Sequence, residues 1–289
     1  MYCLNNYRNI LLLSVICLKV LIIYGGAMKG NQTVLVTGAA GNIGTKLRPH
    51  LEERYQLRLL DMDSRGDKSI IKVDLSKWSD ELLKAFEGVD AVIHLAPDPD
   101  ESKSWEDLVS PNLDAAINPF IAAGRARVKR FIYASSNHAM GGYKDKAEIK
   151  CLTTKMPPLP GTHFSVRGTE RDSTPYGSMK LFGERLGKCY AEATDMSVIA
   201  VRIGWVQRGD NRVEDLPADS IEWYKRMWLS TRDLCQLIEK CIEAKLSQPF
   251  VIVNGMSNNA DMIWDIEHTR EVLGYEPQDG RQTLASRVV

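Results

Sequence analysis

From Thr33 onward, short apolar runs rich in β-branched residues alternate with amphipathic stretches of helical length. Thr33-Val34-Leu35-Val36-Thr37 is apolar without alternation, the pattern of a parallel strand covered on both faces. Similar runs predict strands over 57–60, 70–73, 91–94, 130–133, 197–203 and 250–253. Apolar positions at helical spacing predict helices over 42–54, 79–86, 108–123, 175–193 and 232–244. No internal repeat or low-complexity tract interrupts the series. This β-α-β-α order argues for a parallel sheet with helices on both faces, a doubly wound α/β fold.

The first 28 residues differ in kind. Residues 10–23 (ILLLSVICLKVLII) are almost continuously apolar, yet shorter than the roughly 20 residues that span a bilayer, and Lys19 sits among them. Three readings fit: a secretory signal with Arg8 before the apolar stretch and Gly25-Gly26-Ala27 as its cleavage site, a membrane anchor, or non-functional sequence upstream of a start at Met28. On each reading the leader, over 1–28, stays outside the fold. Membrane contact is then expected only through this leader, if it is retained.

Charge and cysteines narrow the function classes. Lys+Arg and Asp+Glu both number 37 in the 289 residues, so no overall cationic field exists to gather a phosphate backbone, and no local basic patch suggests nucleic-acid binding. Outside the leader, Cys151, Cys189, Cys235 and Cys241 form no Cys-x-x-Cys pair, and buried free thiols in a reducing compartment are expected rather than disulfides or a metal site.

Gly38-Ala39-Ala40-Gly41-Asn42-Ile43-Gly44 follows the first strand and opens the first helix. Glycines so spaced permit a tight turn and a close approach of backbone to a pyrophosphate, while the helix N-terminus offers free N–H groups to the anion. Flanked by strand and helix, the run predicts dinucleotide binding by Gly38, Ala40, Gly41, Asn42, Ile43 and Gly44. Asp61, at the end of the second strand, can accept both adenosine ribose hydroxyls and would repel a 2′-phosphate. NAD is therefore favoured over NADP, although Arg65 nearby could accommodate that phosphate. Asp74 and Leu75 follow the third strand, where they are placed to meet the adenine; Leu95 and Ala96 follow the fourth, where His94 reads as structural or cofactor-adjacent.

Tyr176 and Lys180 stand four residues apart on one helix face. A tyrosine is a poor base at neutral pH, but a neighbouring ammonium would stabilise the phenolate and lower its pKa. Tyr176 is thus the candidate general base, with Lys180 lowering its pKa and able to bond the nicotinamide ribose. Beyond the fifth strand lies Ser135-Ser136-Asn137-His138, where open α/β sheets bind ligands. Ser136, ahead of Ser135, is expected to polarise the substrate oxygen, with Asn137 and His138 directed at substrate hydroxyls or a carboxylate.

Glycine turn, Asp61, His94-Leu95-Ala96, Ser135-Ser136 and Tyr176 with Lys180 together resemble the extended short-chain dehydrogenase/reductase family, and in particular its uronate dehydrogenases. That likeness also rests on Arg202-Ile203-Gly204, Trp228-Leu229-Ser230, the run from Val253 to Asn259 and Leu273-Gly274-Tyr275-Glu276-Pro277-Gln278-Asp279. It implies an NAD-dependent enzyme that oxidises a carbinol of a small sugar or sugar acid, with Ser136, Asn137 and His138 touching the sugar. It further implies an arginine for a sugar carboxylate, for which Arg226 is the candidate, and a homodimer formed through the Tyr176 helix. A single NAD-binding domain over 29–289 is expected, to which 204–230 and 254–289 contribute a small substrate-binding part. Because the cofactor belongs to the cell interior, cytoplasmic placement is expected, with membrane-anchored or secretory placement as the alternatives the leader allows.

Two departures bear on the substrate: Ala96-Pro97-Asp98-Pro99-Asp100 replaces the small and hydroxyl residues expected there, and Trp205 stands where a serine is expected. An acidic loop is a poor match for an anionic uronate. The alternatives are a sugar or nucleotide-sugar epimerase or dehydratase on the same scaffold, and a dinucleotide-sensing protein without catalysis.

Overall fold

The computed structural model describes residues 30–282 except 167, 218, 219 and 221; the leader lies outside the described residues. Its strands are β1 (Thr33–Thr37), β2 (Gln56–Asp61), β3 (Ile70–Lys72), β4 (Ala91–His94), β5 (Arg130–Ser136), β6 (His163–Val166), β7 (Thr169–Asp172), β8 (Ser197–Ile203) and β9 (Phe250–Gly255). The α-helices are α1 (Asn42–Glu52), α2 (Asp80–Phe86), α3 (Trp105–Leu108), α4 (Ala115–Arg125), α5 (Thr174–Ala193), α6 (Glu222–Arg226), α7 (Thr231–Glu243) and α8 (Glu267–Leu273).

Seven strands form one parallel sheet in the order β3-β2-β1-β4-β5-β8-β9. Both faces are covered, which explains the continuous apolar runs. Alternate residues of each strand enter opposite cores: Val34 and Val36 of β1 pack with Leu47, Leu51, Leu234 and Ile238 of α1 and α7. Leu35 packs instead with Phe86 of α2 and Phe120 of α4, on the face that also holds α5. Burying each such side chain contributes about 1.5–3 kcal/mol, so the two cores hold the sheet between its helices. The strand order reverses between β1 and β4, where a crevice opens beyond the strands' C-terminal ends.

Two regions depart from the sequence expectation. The helix predicted over 108–123 is three pieces: α3, a π-helical turn at Val109–Asp114, and α4. Pro111 lies in that turn and has no N–H to donate. The wider winding carries Asn112, 1% exposed, to the backbone of Asp98: Asn112 Oδ1 accepts from Asp98 N at 2.8 Å and its Nδ2 donates to Asp98 O at 3.3 Å. The second region is 137–173, for which the periodicity predicts nothing. It forms a 3₁₀ turn at Asn137–Tyr143 and the antiparallel β6–β7 hairpin. A third core of Met140, Leu152, Trp223, Met227, Met256 and Trp264 joins this region to residues that follow β8 and β9.

All four thiols outside the leader are free, but Cys151 and Cys189 are exposed, so burial holds only for Cys235 and Cys241. No helix among the described residues is long and apolar enough to cross a membrane.

Candidate active site

The glycine turn is shaped by what its residues lack. Gly38 has φ +69°, and a Cβ there would lie 2.8 Å from the Leu95 carbonyl carbon; on Gly44 it would lie 2.5 Å from Gly38 O. Only glycine lets β1, the turn and α1 pack this closely. Gly41 caps α1 without a side-chain bond, leaving the first-turn N–H groups for an anion. Asp61 is oriented by Ala40 N, which donates to its Oδ2 at 2.9 Å, and by Asp63 N, which donates to Oδ1 at 3.1 Å. A backbone cradle that any Cβ would fill, an uncapped helix N-terminus and an anchored carboxylate fit a dinucleotide.

One cleft of about 1070 Å³ runs from this turn across the strand ends. Asp61, Asp74-Leu75 and Leu95-Ala96 line one part of it, and Ser136, Asn137, His138, Tyr176 and Lys180 line another. Ala40 is not at the surface of the cleft but holds Asp61 toward it. Arg226 is not brought to the cleft; its neighbours Tyr224 and Met227 are, together with Trp205.

The chemistry-bearing groups meet because α5 lies close against the turn that follows β5. A Cβ on Gly177 would lie 2.5 Å from His138 O, so the missing side chain sets this approach and brings Tyr176 beside Ser136. Ser135 and Ser136 both line the cleft, but the Ser135 hydroxyl is committed to Glu184 Oε1, to which it donates at 2.6 Å, while Ser136 accepts from His138 N at 3.2 Å. Beneath, Arg202 of β8 forms a bidentate pair with Glu184 of α5, 2.8 Å on each arm, both side chains being almost wholly buried. Glu184 lies one helical turn beyond Lys180, so this network ties β5, α5 and β8 directly below the cleft. No periodicity signals it, since it joins residues that are distant in sequence.

Electrostatics depart from expectation at Tyr176. Burial raises its phenol above the ordinary tyrosine range, the charges of Glu101 and Asp98 add to this, and the Ser136 hydroxyl opposes it. Lys180 does not lower it here. Its Nζ, 5.4 Å from the Tyr176 ring centre, donates to Ala134 O at 2.8 Å, and burial brings its own pKa down to about 7. Burial likewise brings His138 down to about 4, so its imidazole is neutral near pH 7. His138 Nδ1 lies 2.8 Å from Ser173 Oγ, which itself accepts from Thr162 N at 2.8 Å. Ser173 Oγ also lies 3.3 Å from Thr162 O, so its hydroxyl is shared between these neighbours. His94 is buried outside the cleft, with Nδ1 2.8 Å from Thr37 Oγ1, a structural placement.

The C-terminal motifs turn out to knot the chain together. Ser230 caps α7 by accepting from Asp233 N at 3.0 Å and donates to Asp279 Oδ2 at 2.6 Å, while Ser257 donates to Asp233 Oδ2 at 2.5 Å. Asn259 Nδ2 donates to Trp228 O at 2.7 Å, and Tyr275 donates to Met256 O at 2.9 Å.

The family model for the NAD dependent epimerase/dehydratase family matches residues 34–207. An NAD-dependent glucose-6-phosphate dehydrogenase of Haloferax volcanii is 38% identical over 86% of this chain and 94% of its own. An L-arabinose 1-dehydrogenase (NAD(P)(+)) of the same organism is 31% identical over 87% of this chain and 98% of its own. Among solved structures, a glucuronic acid dehydrogenase from Chromohalobacter salexigens superposes with TM-score 0.72 at 28% identity, covering 89% of this chain and 88% of that one. With the glycine cradle, the sheet order and the Tyr176–Lys180 helix in place, this chain belongs to the NAD dependent epimerase/dehydratase family.

Proposed function

We propose that the protein is a sugar dehydrogenase that oxidises a ring carbinol of a monosaccharide, with NAD as acceptor. The observation that carries this is the shared cleft: Tyr176 and Ser136 face the space that the glycine turn opens onto, with Lys180 buried behind them. The dehydrogenases named above, acting on a sugar phosphate, a pentose and a sugar acid, support the reaction class. Ser136 holds the substrate oxygen by hydrogen bond and Tyr176 takes its proton. NAD, when bound, would supply the hydride acceptor and a positive charge. A phenol raised by burial needs such a charge, or that of Lys180, to act as a base near pH 7. Lys180 also stands where it can reach a ribose hydroxyl, and Asp61 takes the adenosine ribose hydroxyls in preference to a 2′-phosphate. His138 offers Nε2 to a substrate hydroxyl, and Asn137, held by its Nδ2 bond to Ile203 O at 3.2 Å, offers its unpartnered Oδ1. Residues that follow β8 and β9 cover the substrate.

Tyr176→Phe tests the assignment. The variant is expected to lose at least about a thousandfold in kcat, the upper range for one positioned acid–base group, while NADH binding followed by fluorescence stays within about twofold. Turnover retained within tenfold of the parent enzyme refutes it. Net NADH formation separates this reading from an epimerase or dehydratase, which would return product without it. Dimerisation through α5, which carries the exposed Phe182, and cytoplasmic placement, which suits an NAD enzyme, belong to the same proposal.

A further inference from the structure

The acidic loop that follows β4 is not uniformly charged toward the cleft. Asp98 is paired with Lys103 at 2.6 Å, and Asp100 is taken up by Ser102, whose N and Oγ donate to it at 3.0 and 2.7 Å. Asn112 clasps the loop backbone from behind. Glu101 remains: it lines the cleft, and among the described residues its carboxylate is met only by its own backbone N–H, while burial and the neighbouring charge of Asp100 raise its pKa. Its charge nonetheless acts on two groups across the cleft, raising the pKa of both Tyr176 and Tyr224. A half-buried carboxylate without a cation or side-chain partner at a cleft is best satisfied by hydrogen-bond donors from whatever binds there.

The opposite wall is aromatic. Trp205 and Tyr224 line the cleft with ring centres 5.7 Å apart, and Tyr224 lies 6.3 Å from His138. The Tyr224 hydroxyl is buried without a partner. Trp205 is fixed by its backbone, accepting from Leu229 N at 2.9 Å and donating to Met227 O at 2.7 Å. An indole face packs against the apolar C–H face of a sugar ring, while a carboxylate and a phenol satisfy its hydroxyls.

Among the described residues that line this end of the cleft no cation is free; Arg171 of β7, outside the lining, acts on Asp100 and not on Glu101. Lys180 is held by Ala134 O and Lys103 by Asp98, and His138 is neutral. Arg208 belongs to the dinucleotide end: the flanking Gln207 and Gly209 carbonyls accept from Asn42 Nδ2 at 3.3 Å and Lys46 Nζ at 2.6 Å on α1. Arg65 lies just past Asp61 at that same end.

We propose that Glu101 selects the substrate, accepting hydroxyl hydrogens of an uncharged aldose stacked against Trp205 and repelling sugar acids and sugar phosphates. This rests on the dehydrogenase reading above and deepens it. Specificity of this kind comes from an unfavourable group set against the wrong ligand as much as from contacts to the right one.

The test measures NADH formation by the full chain with D-glucose, L-arabinose, D-glucuronate, D-galacturonate and glucose 6-phosphate, for the parent and for Glu101→Gln. The parent enzyme is expected to show kcat/KM at least about tenfold higher for a neutral aldose than for any of the anions. The variant should narrow that ratio by at least about tenfold, losing on the neutral sugar and gaining on the anions. NADH binding at parental strength establishes that the variant is folded. A parent that prefers a sugar acid or phosphate overturns the proposal, as does a variant that changes every substrate by the same factor; in both cases the dehydrogenase reading survives. Absence of reduced nucleotide from every sugar, with NAD and with NADP, overturns that reading and the proposal with it.

Discussion

The two ends of the cleft are built in opposite ways. At the dinucleotide end, the decisive groups lie between Gly38 and Asp61, and most are backbone: N–H groups, a positive φ, and carbonyls that no Cβ may approach. At the substrate end, Glu101, His138, Tyr176, Trp205 and Tyr224 come from separate segments and act through their side chains. A site made from one local turn is legible as a motif and tolerates change elsewhere. A site assembled across the chain depends on whatever holds those segments in register, here the Glu184–Arg202–Ser135 network and the Asn112 clasp.

The largest effect that separates the two ends should come from Arg202→Met. It leaves the Glu184 carboxylate buried without its partner, a loss of about 3–5 kcal/mol. At roughly 2–4 °C per kcal/mol for a chain of this size, Tm should fall by about 6–20 °C in a thermal melt. Below the melt, kcat should fall while NADH affinity changes little; loss of both in equal measure would show that the two ends are not independently supported.

Gly38→Val acts at the other end. It places a branched side chain at φ +69° against the Leu95 backbone, which either excludes the dinucleotide or forces the turn apart. NADH affinity should drop by about a hundredfold, equivalent to roughly 2.7 kcal/mol of strain and lost contacts. Titration of NADH fluorescence reads this directly, and binding within tenfold of the parent would show the turn to be adaptable.

Asp61→Asn is expected to be smaller still. Removing the carboxylate charge should improve NADP relative to NAD by about tenfold in kcat/KM, with Arg65 available to the 2′-phosphate. An unchanged ratio would move nucleotide choice away from Asp61.

The smallest effect is shared by both ends. Burial holds His94 down to about 3 and His138 down to about 4, whereas the unfolded chain titrates near 6.5. Between those values the unfolded chain binds more protons, so stability falls as pH drops below about 6.5 and recovers as pH rises. Each imidazole steepens the slope by at most about 1.4 kcal/mol per pH unit. Tm measured from pH 7 to pH 4.5 should decline, less steeply in His138→Asn; an unchanged slope in that variant would place its imidazole in solvent.

The sheet and the dinucleotide turn were legible in the chain before folding is considered, because both arise from local pattern. A doubly covered strand must be apolar at consecutive positions, and a backbone pressed against a phosphate must be glycine. The Tyr176–Lys180 spacing was legible as well, since one helix turn sets that distance. The remaining features depend on which distant segments pack together. Pro111 opened a π turn inside one predicted helix, and Asn112 thereby reached the acidic loop. Arg226 was left off the cleft while Tyr224 and Trp205 entered it, as the packing of Trp223 and Met227 with Met256 and Trp264 set which way that short segment faces. The motifs around Ser230, Ser257 and Asp279 became one hydrogen-bonded knot. Burial, which no linear pattern encodes, raised the Tyr176 phenol and brought Lys180 near neutrality. It left Glu101 at the cleft without a cation, since ion pairs form between residues that the fold, and not the chain order, brings together.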